Sequence, residues 1–326
     1  MSEFGLYSGK EFFDLKFPKR EFLVESIIKE KDSVILVGEE KAGKSILIFQ
    51  LITALTSKHP FLDKFSVSKP CKVTYVQLEG ELHDSQDRFN RMIGSIDFDR
   101  ELFNIKFSEP LKLQEEADMQ KLIREIELKQ GKPDVIIIDP IYFALTGSLS
   151  DDDIVRKFIG NIRIMKDHFG CSIILVHHCH KIKLDPKGNV LFEGDNAMFG
   201  SIFFKAWADH TFLFRYDKVN NIRILSCDTQ RAGDIIKNLK LKLIEPNPLY
   251  FDIITTDPTN WAKIHDIIFN KPIPDGYTCE LVEKALGMKR DTFYRSIKEP
   301  LRDGILFKNK IGKVVHYTLD RREDKP

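Results

Sequence analysis

The sequence predicts an α/β protein with a mostly parallel central sheet, followed by a small C-terminal winged-helix domain. Two observations predict the sheet: short apolar runs alternate with amphipathic stretches, and the runs are apolar throughout, as in strands buried on both faces. The third observation is that residues 259–326 read as three short helices and a hairpin, the order of a winged helix-turn-helix. We therefore expect two domains, 1–258 (with an N-terminal extension, 1–17) and 259–326.

Predicted strands and helices alternate along the first domain. Apolar runs predict strands at 33–38, 72–78, 134–139 and 171–176. Amphipathic stretches predict the helices between them, at 44–57, 84–96, 115–131 and 151–170. Further on, the pattern changes to successive strands with short turns, at 209–217, 221–229, 239–245 and 249–254. Between these two parts, 182–200 is predicted to be a long loop, and 255–260 is predicted to be a linker.

Composition excludes several classes of protein. The formal net charge is +1, so overall charge does not indicate a nucleic-acid-binding protein, although residues 259–326 hold 14 basic against 10 acidic side chains. The five cysteines are scattered and none form a C-x-x-C pair, which argues against a disulfide framework and favours a reducing compartment. No apolar run has the length of a signal-peptide core at the N-terminus or of a membrane span elsewhere. We therefore expect a cytoplasmic protein with no membrane partner.

The segment GEEKAGKS, residues 38–45, carries the strongest chemical signal. It matches G-x-x-x-x-G-K-[ST], and it follows a predicted strand and opens a predicted helix. The glycines let main-chain N–H groups face a phosphate, the lysine neutralises the β- and γ-phosphates, and the serine hydroxyl binds Mg²⁺. We therefore expect ATP and Mg²⁺ as cofactors. The expected nucleotide-binding residues are Gly38, Glu39, Glu40, Lys41, Ala42, Gly43, Lys44, Ser45 and Ile46.

Two carboxylates complete the predicted chemistry. Asp139 ends an apolar strand, and holding Mg²⁺ together with Ser45 would satisfy a buried carboxylate at that place. The next residue is Pro140, so the group that activates the attacking water must lie elsewhere. Glu79 follows the second predicted strand, at the sheet edge where ligands gather in open α/β folds, and we expect it to be that base. Glu81 is the alternative.

The stretch HHCH, residues 177–180, has the composition of a metal site. Adjacent side chains on a strand point to opposite faces, however, so His177 and His178 are poorly placed to share one tetrahedral ion. Structural zinc sites draw ligands from two separated pairs, and no second Cys/His pair lies nearby in the sequence. Because the stretch ends the fourth predicted strand, a histidine at its tip is expected to face the phosphates instead.

Five segments together resemble the RecA-type ATPases. They are GEEKAGKS, YVQLEGE, VIIIDP, LVHHCHK and the GS pair at 200–201, in that order. Within this group the chain is most similar to the plasmid RepA-type hexameric helicases and their AAA_25-like relatives, which are related to the DnaB helicase core. The resemblance covers about residues 17–256. It implies a RecA-like core that binds ATP between the subunits of a ring or filament.

The resemblance also implies roles for the residues after the fourth predicted strand. His178 matches the polar residue that senses the γ-phosphate in that group, and Lys181 matches the lysine of its HHxxK pattern. The loop 182–199 corresponds to the group's central loop, which contacts DNA inside the ring, so Lys183 and Lys187 are candidate DNA contacts. Three carboxylates in the same loop offset these charges, which weakens the DNA assignment.

The stretch CDTQRAGD resembles the K-Q-R-N-G stretch of DnaB-type helicases, where a lysine and an arginine reach the neighbouring subunit's nucleotide. Arg231 matches the arginine, which implies that it stabilises transition-state charge in trans. Thr229 stands where the lysine would be, so Arg231 is the main candidate, with Arg223 and Lys237 as substitutes. The expected catalytic residues are Lys44, Glu79, His178 and Arg231.

The C-terminal domain has candidate DNA contacts of its own. In a winged helix, the stretch 289–304 would be the recognition helix, and 305–320 would be the hairpin, or wing. Such modules also mediate protein contacts, so a protein partner is the alternative there. The candidate DNA contacts are Lys289, Arg290, Arg295 and Lys298 on the helix and Lys313 on the wing.

Two functions follow from these expectations. The first is an ATP-hydrolysing, ring-forming DNA helicase or translocase in the replication of a plasmid, phage or mobile element. The alternative is an ATP-gated DNA-binding regulator without translocation, which the weakly basic loop 182–199 favours. The expected partners are DNA, single-stranded in the core and duplex at the winged helix, and further copies of the chain in a ring or hexamer.

Overall fold

The structure is a computed structural model, and it divides the chain into two compact units, Met1–Ile254 and Thr255–Pro326. The residues that it describes are 6–16, 19–93, 99–107, 111–179, 201–230, 238–246, 248–254, 263–265, 267–268, 273, 276–302, 306–312 and 314–318. The predicted linker, 255–260, lies outside this set, and so does the expected domain boundary after residue 258. Most of the predicted loop, 182–200, also lies outside it.

A nine-stranded sheet forms the middle of the first unit within the described residues. Its strands are β3 (Ser33–Glu39), β4 (Val73–Gln77), β5 (Phe103–Phe107), β6 (Val135–Asp139), β7 (Ser172–Cys179), β8 (His210–Asp217), β9 (Ile222–Gln230), β10 (Leu239–Ile244) and β11 (Tyr250–Ile253). The short strands β1 (Phe22–Val24) and β2 (Ile28–Lys29) pair separately. Across the sheet the order is β11-β10-β9-β8-β3-β7-β6-β4-β5. The pairs from β8 through β3 to β5 are parallel and those from β8 to β11 antiparallel, so the predicted mostly parallel sheet is confirmed.

Helices cover both faces of this sheet, and each face has its own apolar core. The helices are α1 (Gly9–Asp14), α2 (Lys44–Ser57), α3 (Leu82–Ile93), α4 (Glu116–Gln130), α5 (Asp152–Phe169) and α6 (Ile202–Trp207). Ile52 of α2 belongs to one core, and Leu122 of α4 and Phe158 of α5 belong to the other. Both α4 and α5 end at glycines with positive φ, Gly131 and Gly170, where the sequence predicts their ends. None of the helices in the described part of the chain has the length and apolar character needed to cross a membrane.

The structure differs from the predicted elements at two places near the site. Strand β5 pairs with β4 at the edge of the sheet, where its residues are only partly buried, so its sequence FNIKF lacks the continuous apolar run that marks the other strands. Strand β7 continues to Cys179, beyond its predicted end at residue 176, because it pairs with β3 as far as Glu39. His177 and His178 therefore lie within a strand.

The second unit contains a three-stranded sheet of order β12-β14-β13 among its described residues. Its elements are β12 (Tyr277–Thr278), α7 (Cys279–Leu286), α8 (Arg290–Arg302), β13 (Phe307–Ile311) and β14 (Val314–Thr318). Val282, Phe293 and Ile297 lie in its apolar core, and Ile311 pairs with Val314 at the closed end of the hairpin. Of the first predicted helix, 259–270, only residues 263–265 and 267–268 are described, and these are helical. The assignment as a winged helix stays a prediction.

Candidate active site

The main site residues lie along one edge of the sheet, where the parallel strands end. Strand register pairs Gly38 at the end of β3 with His178 on β7, and Gln77 on β4 with Asp139 on β6. Glu79 follows shortly after β4. Parallel strands have their carboxyl ends at the same edge, which is where open α/β sheets bind ligands. The topology therefore brings together residues from three separate parts of the sequence.

Main-chain geometry shapes the P-loop, residues 38–45, between β3 and α2. Gly43 has a φ of +98°, and a Cβ added there would lie 2.8 Å from Cζ of Phe251, so both backbone conformation and space require glycine. At Gly38 an added Cβ would lie 2.5 Å from the main-chain oxygen of Phe214. No described side chain caps the first turn of the 14-residue helix α2. Uncapped N–H groups at a helix N-terminus fit a phosphate, so this loop fits the expected nucleotide.

Lys44 is folded back onto the loop that carries it. Its side chain is buried, and its Nζ donates hydrogen bonds to the main-chain oxygens of Gly38 at 2.7 Å and Glu39 at 2.9 Å. The same Nζ lies 3.0 Å from Nδ1 of His178. An ammonium group can only donate, so Nδ1 of His178 must accept this bond. The lysine therefore determines where the proton of the imidazole lies.

His178 connects Lys44 to Glu79. Because Nδ1 accepts from Lys44, the ring proton lies on Nε2, which is 3.4 Å from Oε2 of Glu79. Burial lowers the pKa of His178 below its ordinary value of 6.5, the Lys44 ammonium lowers it further, and Glu79 opposes both effects. The imidazole is therefore neutral at pH 7. Lysine, neutral imidazole and carboxylate form a continuous polar chain from the P-loop to the candidate base.

Asp139 is buried at the end of β6 and accepts a hydrogen bond of 2.8 Å from the hydroxyl of Tyr75 on β4. Burial raises the pKa of Asp139 from 3.8 to about 6, while the Tyr75 hydrogen bond and the Lys44 charge lower it. The carboxylate is thus costly to ionise in this environment and gains from a nearby cation. Sequence reasoning missed Tyr75 because it lies inside an apolar run. A buried tyrosine hydroxyl needs a partner, and that need is the signal that could have pointed to it.

Ser45 and Asp139 are oxygen donors at the same edge of the sheet, which suits a hard divalent cation. Ser45 is half-buried at the start of α2, directly after Lys44. No cluster of three or more His, Cys, Asp or Glu side chains that could hold a metal ion is found in the described ranges. Mg²⁺ usually takes one or two protein oxygens and completes its shell with substrate phosphates and water. The residues present therefore fit Mg²⁺ that arrives with a nucleotide.

The neighbouring histidine, His177, lies on the opposite side of the sheet from His178. It is buried, and its ring stacks on Phe204 of α6 with centroids 6.1 Å apart. His178 instead contacts Lys44 on the phosphate-facing side. The alternation of strand side chains therefore separates the two rings. His180 and the side chain of Cys179 lie outside the described residues.

Several expected residues lie outside the described part of the chain. They are Arg231, Lys237, Lys181, Lys183, Lys187 and Lys313. Arg223, the other substitute for Arg231, is described and buried: its Nε donates to the main-chain oxygen of Ala42 at 3.4 Å, and its guanidinium lies 3.9 Å from the ring of Tyr216. Arg223 therefore supports the P-loop of its own chain, and this packing argues against a role at a neighbour's nucleotide.

The candidate DNA contacts on α8 are all exposed. They are Lys289, Arg290, Arg295 and Lys298. Arg290 Nη2 lies 3.4 Å from Oε1 of Glu280, and Arg290 Nε lies 3.9 Å from Oε1 of Glu283, both on the preceding helix α7. Part of the positive charge of Arg290 is therefore compensated within the unit.

The fold and the site define a class of protein: a P-loop ATPase with a RecA-like core. The AAA_25 family, described as an AAA domain, matches residues 9–183, which is more than half of the chain. The chain belongs to this family.

Among solved structures, the chain resembles one titled as an ATPase domain, with a TM-score of 0.52 and 14% sequence identity. The match covers 68% of this chain and 84% of that one. At this identity the likeness concerns the fold, and it confirms the expected RecA-like core. In all, 407 solved chains match, so the fold is widespread and does not select one substrate. No curated protein sequence matches the chain.

Proposed function

We propose that the protein is an ATP-hydrolysing, ring-forming DNA helicase or translocase that acts in the replication of a plasmid, phage or mobile element. One observation carries the proposal: the imidazole of His178 lies 3.0 Å from Lys44 and 3.4 Å from Glu79. A motor of this kind needs a group that contacts both the phosphate-binding lysine and the hydrolytic base. Such a group lets the presence of the γ-phosphate be passed to the loop that follows β7.

In the proposed reaction, Glu79 orients the attacking water and accepts its proton. Lys44 places a positive charge on the β- and γ-phosphates. Ser45 and Asp139 hold Mg²⁺, which supplies further positive charge to the transferred phosphoryl group when it is bound. Arg231 of a neighbouring copy contributes transition-state charge in trans, and this is the reason that the proposal includes a ring.

His178 acts as the sensor in this scheme. Its one ring proton, on Nε2, can be donated to Glu79 or to a γ-phosphate, but not fully to both at once. Binding of ATP therefore releases Glu79 to act on water. Loss of the γ-phosphate returns the proton to Glu79, and the accompanying shift passes into the loop 182–199.

The proposed substrate is DNA, with single strands bound in the core through Lys183 and Lys187. The C-terminal unit would bind duplex DNA as a winged helix. Exposed basic residues on α8 support this part of the proposal, although Glu280 and Glu283 compensate Arg290. The scattered cysteines favour a cytoplasmic setting.

The second candidate is an ATP-gated DNA-binding regulator, in which nucleotide sets the oligomeric state and no translocation occurs. The composition of the loop 182–199 favours it, because two lysines there are offset by three carboxylates. A loop without net positive charge is a weak track for a DNA strand. The two candidates share the nucleotide site and differ only in what hydrolysis drives.

The test measures ATP hydrolysis by the purified full chain with and without single-stranded DNA, and strand displacement on a forked duplex. A helicase shows DNA-stimulated hydrolysis and ATP-dependent displacement. Hydrolysis that no DNA stimulates, with no strand displaced, overturns the helicase proposal, and ATP-dependent duplex binding in that case supports the regulator. Lys44→Ala is the control for the site, because it removes the charge that faces the phosphates. Unchanged hydrolysis by Lys44→Ala would show that the ATPase site lies elsewhere.

A further inference from the structure

Gln77 is a buried amide at the end of an otherwise mostly apolar strand. It is the last residue of β4, its register partner is Asp139 on β6, and only 6% of it is exposed. Its Nε2 donates one hydrogen bond to the main-chain oxygen of Glu79 at 3.0 Å and another to Oγ of Ser85 at 2.6 Å. Its Oε1 is buried without a hydrogen-bond partner among the described residues. The side chain therefore spends both of its N–H groups on the turn that carries the candidate base.

The orientation of this amide follows from its partners. The main-chain oxygen of Glu79 can only accept a hydrogen bond, so the nitrogen of Gln77, and not its oxygen, must face it. The opposite orientation would place two oxygens against each other. The unpartnered oxygen is thus a consequence of the bond to Glu79.

The turn around Glu79 is held from both sides. On one side, the N–H of Leu78 donates to the main-chain oxygen of Asp139 at 2.8 Å. On the other side, Gln77 holds the oxygen of Glu79 itself, and Ser85 ties the same amide to the first turns of α3. Gly80 has a φ of +87°, so the chain turns sharply directly after Glu79. These bonds determine where the Glu79 side chain leaves the backbone.

Stability alone does not explain a glutamine at this position. A buried polar atom without a partner costs free energy, and an apolar residue of similar size would avoid that cost. The strand beside it, β6, consists of the run VIIID, so apolar residues are well accommodated in this part of the sheet. The glutamine is instead accounted for by what its nitrogen holds.

We propose that Gln77 is a positioning residue that sets the Glu79 carboxylate for attack on the nucleotide, with Ser85 as its anchor. The inference rests on the proposed function, in which Glu79 activates the water. Gln77 acts through the main chain of Glu79 and not on the nucleotide. Its loss is therefore expected to lower the rate of hydrolysis and to leave nucleotide binding intact.

The test is Gln77→Leu in the full chain, measured by ATPase kinetics and by binding of a fluorescent ATP analogue. Misplacing a catalytic group by about 1 Å costs on the order of 10²-fold, so we expect kcat to fall by roughly 10- to 100-fold. The KM for ATP and the affinity for the analogue stay within about twofold, because uniform binding is untouched. Ser85→Ala, which keeps Gln77 but removes its anchor, gives a smaller fall in kcat. It also serves as the second variant if Gln77→Leu folds poorly.

The chain offers a matched control at the other end of the same strand. Gln130 is also a glutamine that donates to main-chain oxygens, Leu102 at 3.0 Å and Val73 at 3.3 Å, and it contacts the start of β4 instead of its end. Gln130→Leu is expected to lower the melting temperature while kcat stays within about twofold of wild type. If both leucine variants lower kcat equally, the effect of Gln77 is structural and the proposal is wrong.

A double-mutant cycle separates this inference from the proposed function. If Gln77 acts through Glu79, Gln77→Leu has no further effect on kcat in a Glu79→Gln background. Losses that multiply would overturn the positioning role. Wild-type hydrolysis by Glu79→Gln would instead overturn the assignment of Glu79 in the proposed function. An inactive Glu79→Gln beside a fully active Gln77→Leu leaves that assignment in place and refutes the present inference.

Discussion

Two histidine–carboxylate pairs lie at opposite edges of the sheet, and they differ in burial and in distance. At the amino edge, Nε2 of His210 is 2.9 Å from Oδ2 of Asp32, with the side chains 2% and 1% exposed. At the carboxyl edge, Nε2 of His178 is 3.4 Å from Oε2 of Glu79, with the side chains 30% and 57% exposed. The same two chemical groups therefore occur once in a dry setting and once where water and a ligand can enter.

Their remaining partners explain the difference. Asp32 also accepts hydrogen bonds from the N–H of Lys29 at 2.7 Å and from Nη1 of Arg20 at 3.2 Å, so both of its oxygens are used. A buried carboxylate with this many partners joins β2, β3 and β8 and has little reason to change them. Glu79 stands at a turn with an exposed carboxylate, and its contact with His178 is long enough to be exchanged. Burial and satisfaction thus distinguish a pair that holds the fold from a pair suited to a reaction.

The largest expected effect follows from replacing the exposed carboxylate. Glu79→Gln is predicted to lower kcat by roughly 10²- to 10⁴-fold, because the amide cannot accept a proton from water. The free energy of unfolding should change by less than about 1 kcal/mol, since a half-exposed ion pair contributes little. Steady-state ATPase assays and denaturant titration measure the two quantities. A variant that loses stability and keeps its kcat would reverse the comparison.

The opposite outcome is expected at the amino edge. Asp32→Ala removes the acceptor of His210, Arg20 and the Lys29 N–H at once, and breaking such a buried network costs about 3–5 kcal/mol. The free energy of unfolding should fall by that amount, while kcat of the folded protein stays near the wild-type value. Asp32→Asn is the milder control, because it keeps one oxygen acceptor. A large loss of kcat with unchanged stability would show that this pair takes part in the reaction.

An intermediate effect is expected from the histidine that links the two site residues. His178→Ala removes hydrogen bonds to Lys44 and Glu79, and bonds to charged groups of this kind are worth about 1.5–3 kcal/mol, or roughly 10- to 100-fold in rate. Stimulation of hydrolysis by single-stranded DNA should be lost together with the rate. The comparison is made by measuring ATP hydrolysis across a DNA titration. Normal DNA-coupled hydrolysis by this variant would show that another residue is the sensor.

The smallest expected effect is a shift along the pH axis. Burial raises the pKa of Asp139 to about 6, and the Tyr75 hydrogen bond opposes this rise. As the pH falls through this pKa the carboxylate takes up a proton and loses its affinity for Mg²⁺, so kcat/KM should decline on the acid side. Tyr75→Phe removes the opposing hydrogen bond, which raises the pKa and moves the acid limb to higher pH by about half to one unit.

The control for this shift is Tyr250→Phe on β11, at the far edge of the sheet from β4. It should leave the acid limb where it is in the wild type. An acid limb that Tyr75→Phe leaves unmoved, or moves to lower pH, would show that Asp139 does not control it.

The fold was largely predictable because its strands and helices are marked by local patterns. The helix predicted at 44–57 is α2 with the same bounds, since a glycine opens it and its apolar residues continue to the last turn. The edge strand β5 was missed, because half-buried positions do not produce an apolar run. Tyr75 and Arg223 were misjudged for another reason: their partners, Asp139 and Ala42, lie 64 and 181 residues away in the sequence.

Local sequence was sufficient to establish the alternation of strands and helices, the P-loop, and the acidic residues at strand ends. It could not establish that β7 and β8 lie on either side of β3, or that β6 lies between β7 and β4. Strand order depends on contacts between distant segments, and a pattern read along the chain carries no information about them. Packing alone therefore placed Lys44 against Nδ1 of His178, and through that contact placed the ring proton opposite Glu79.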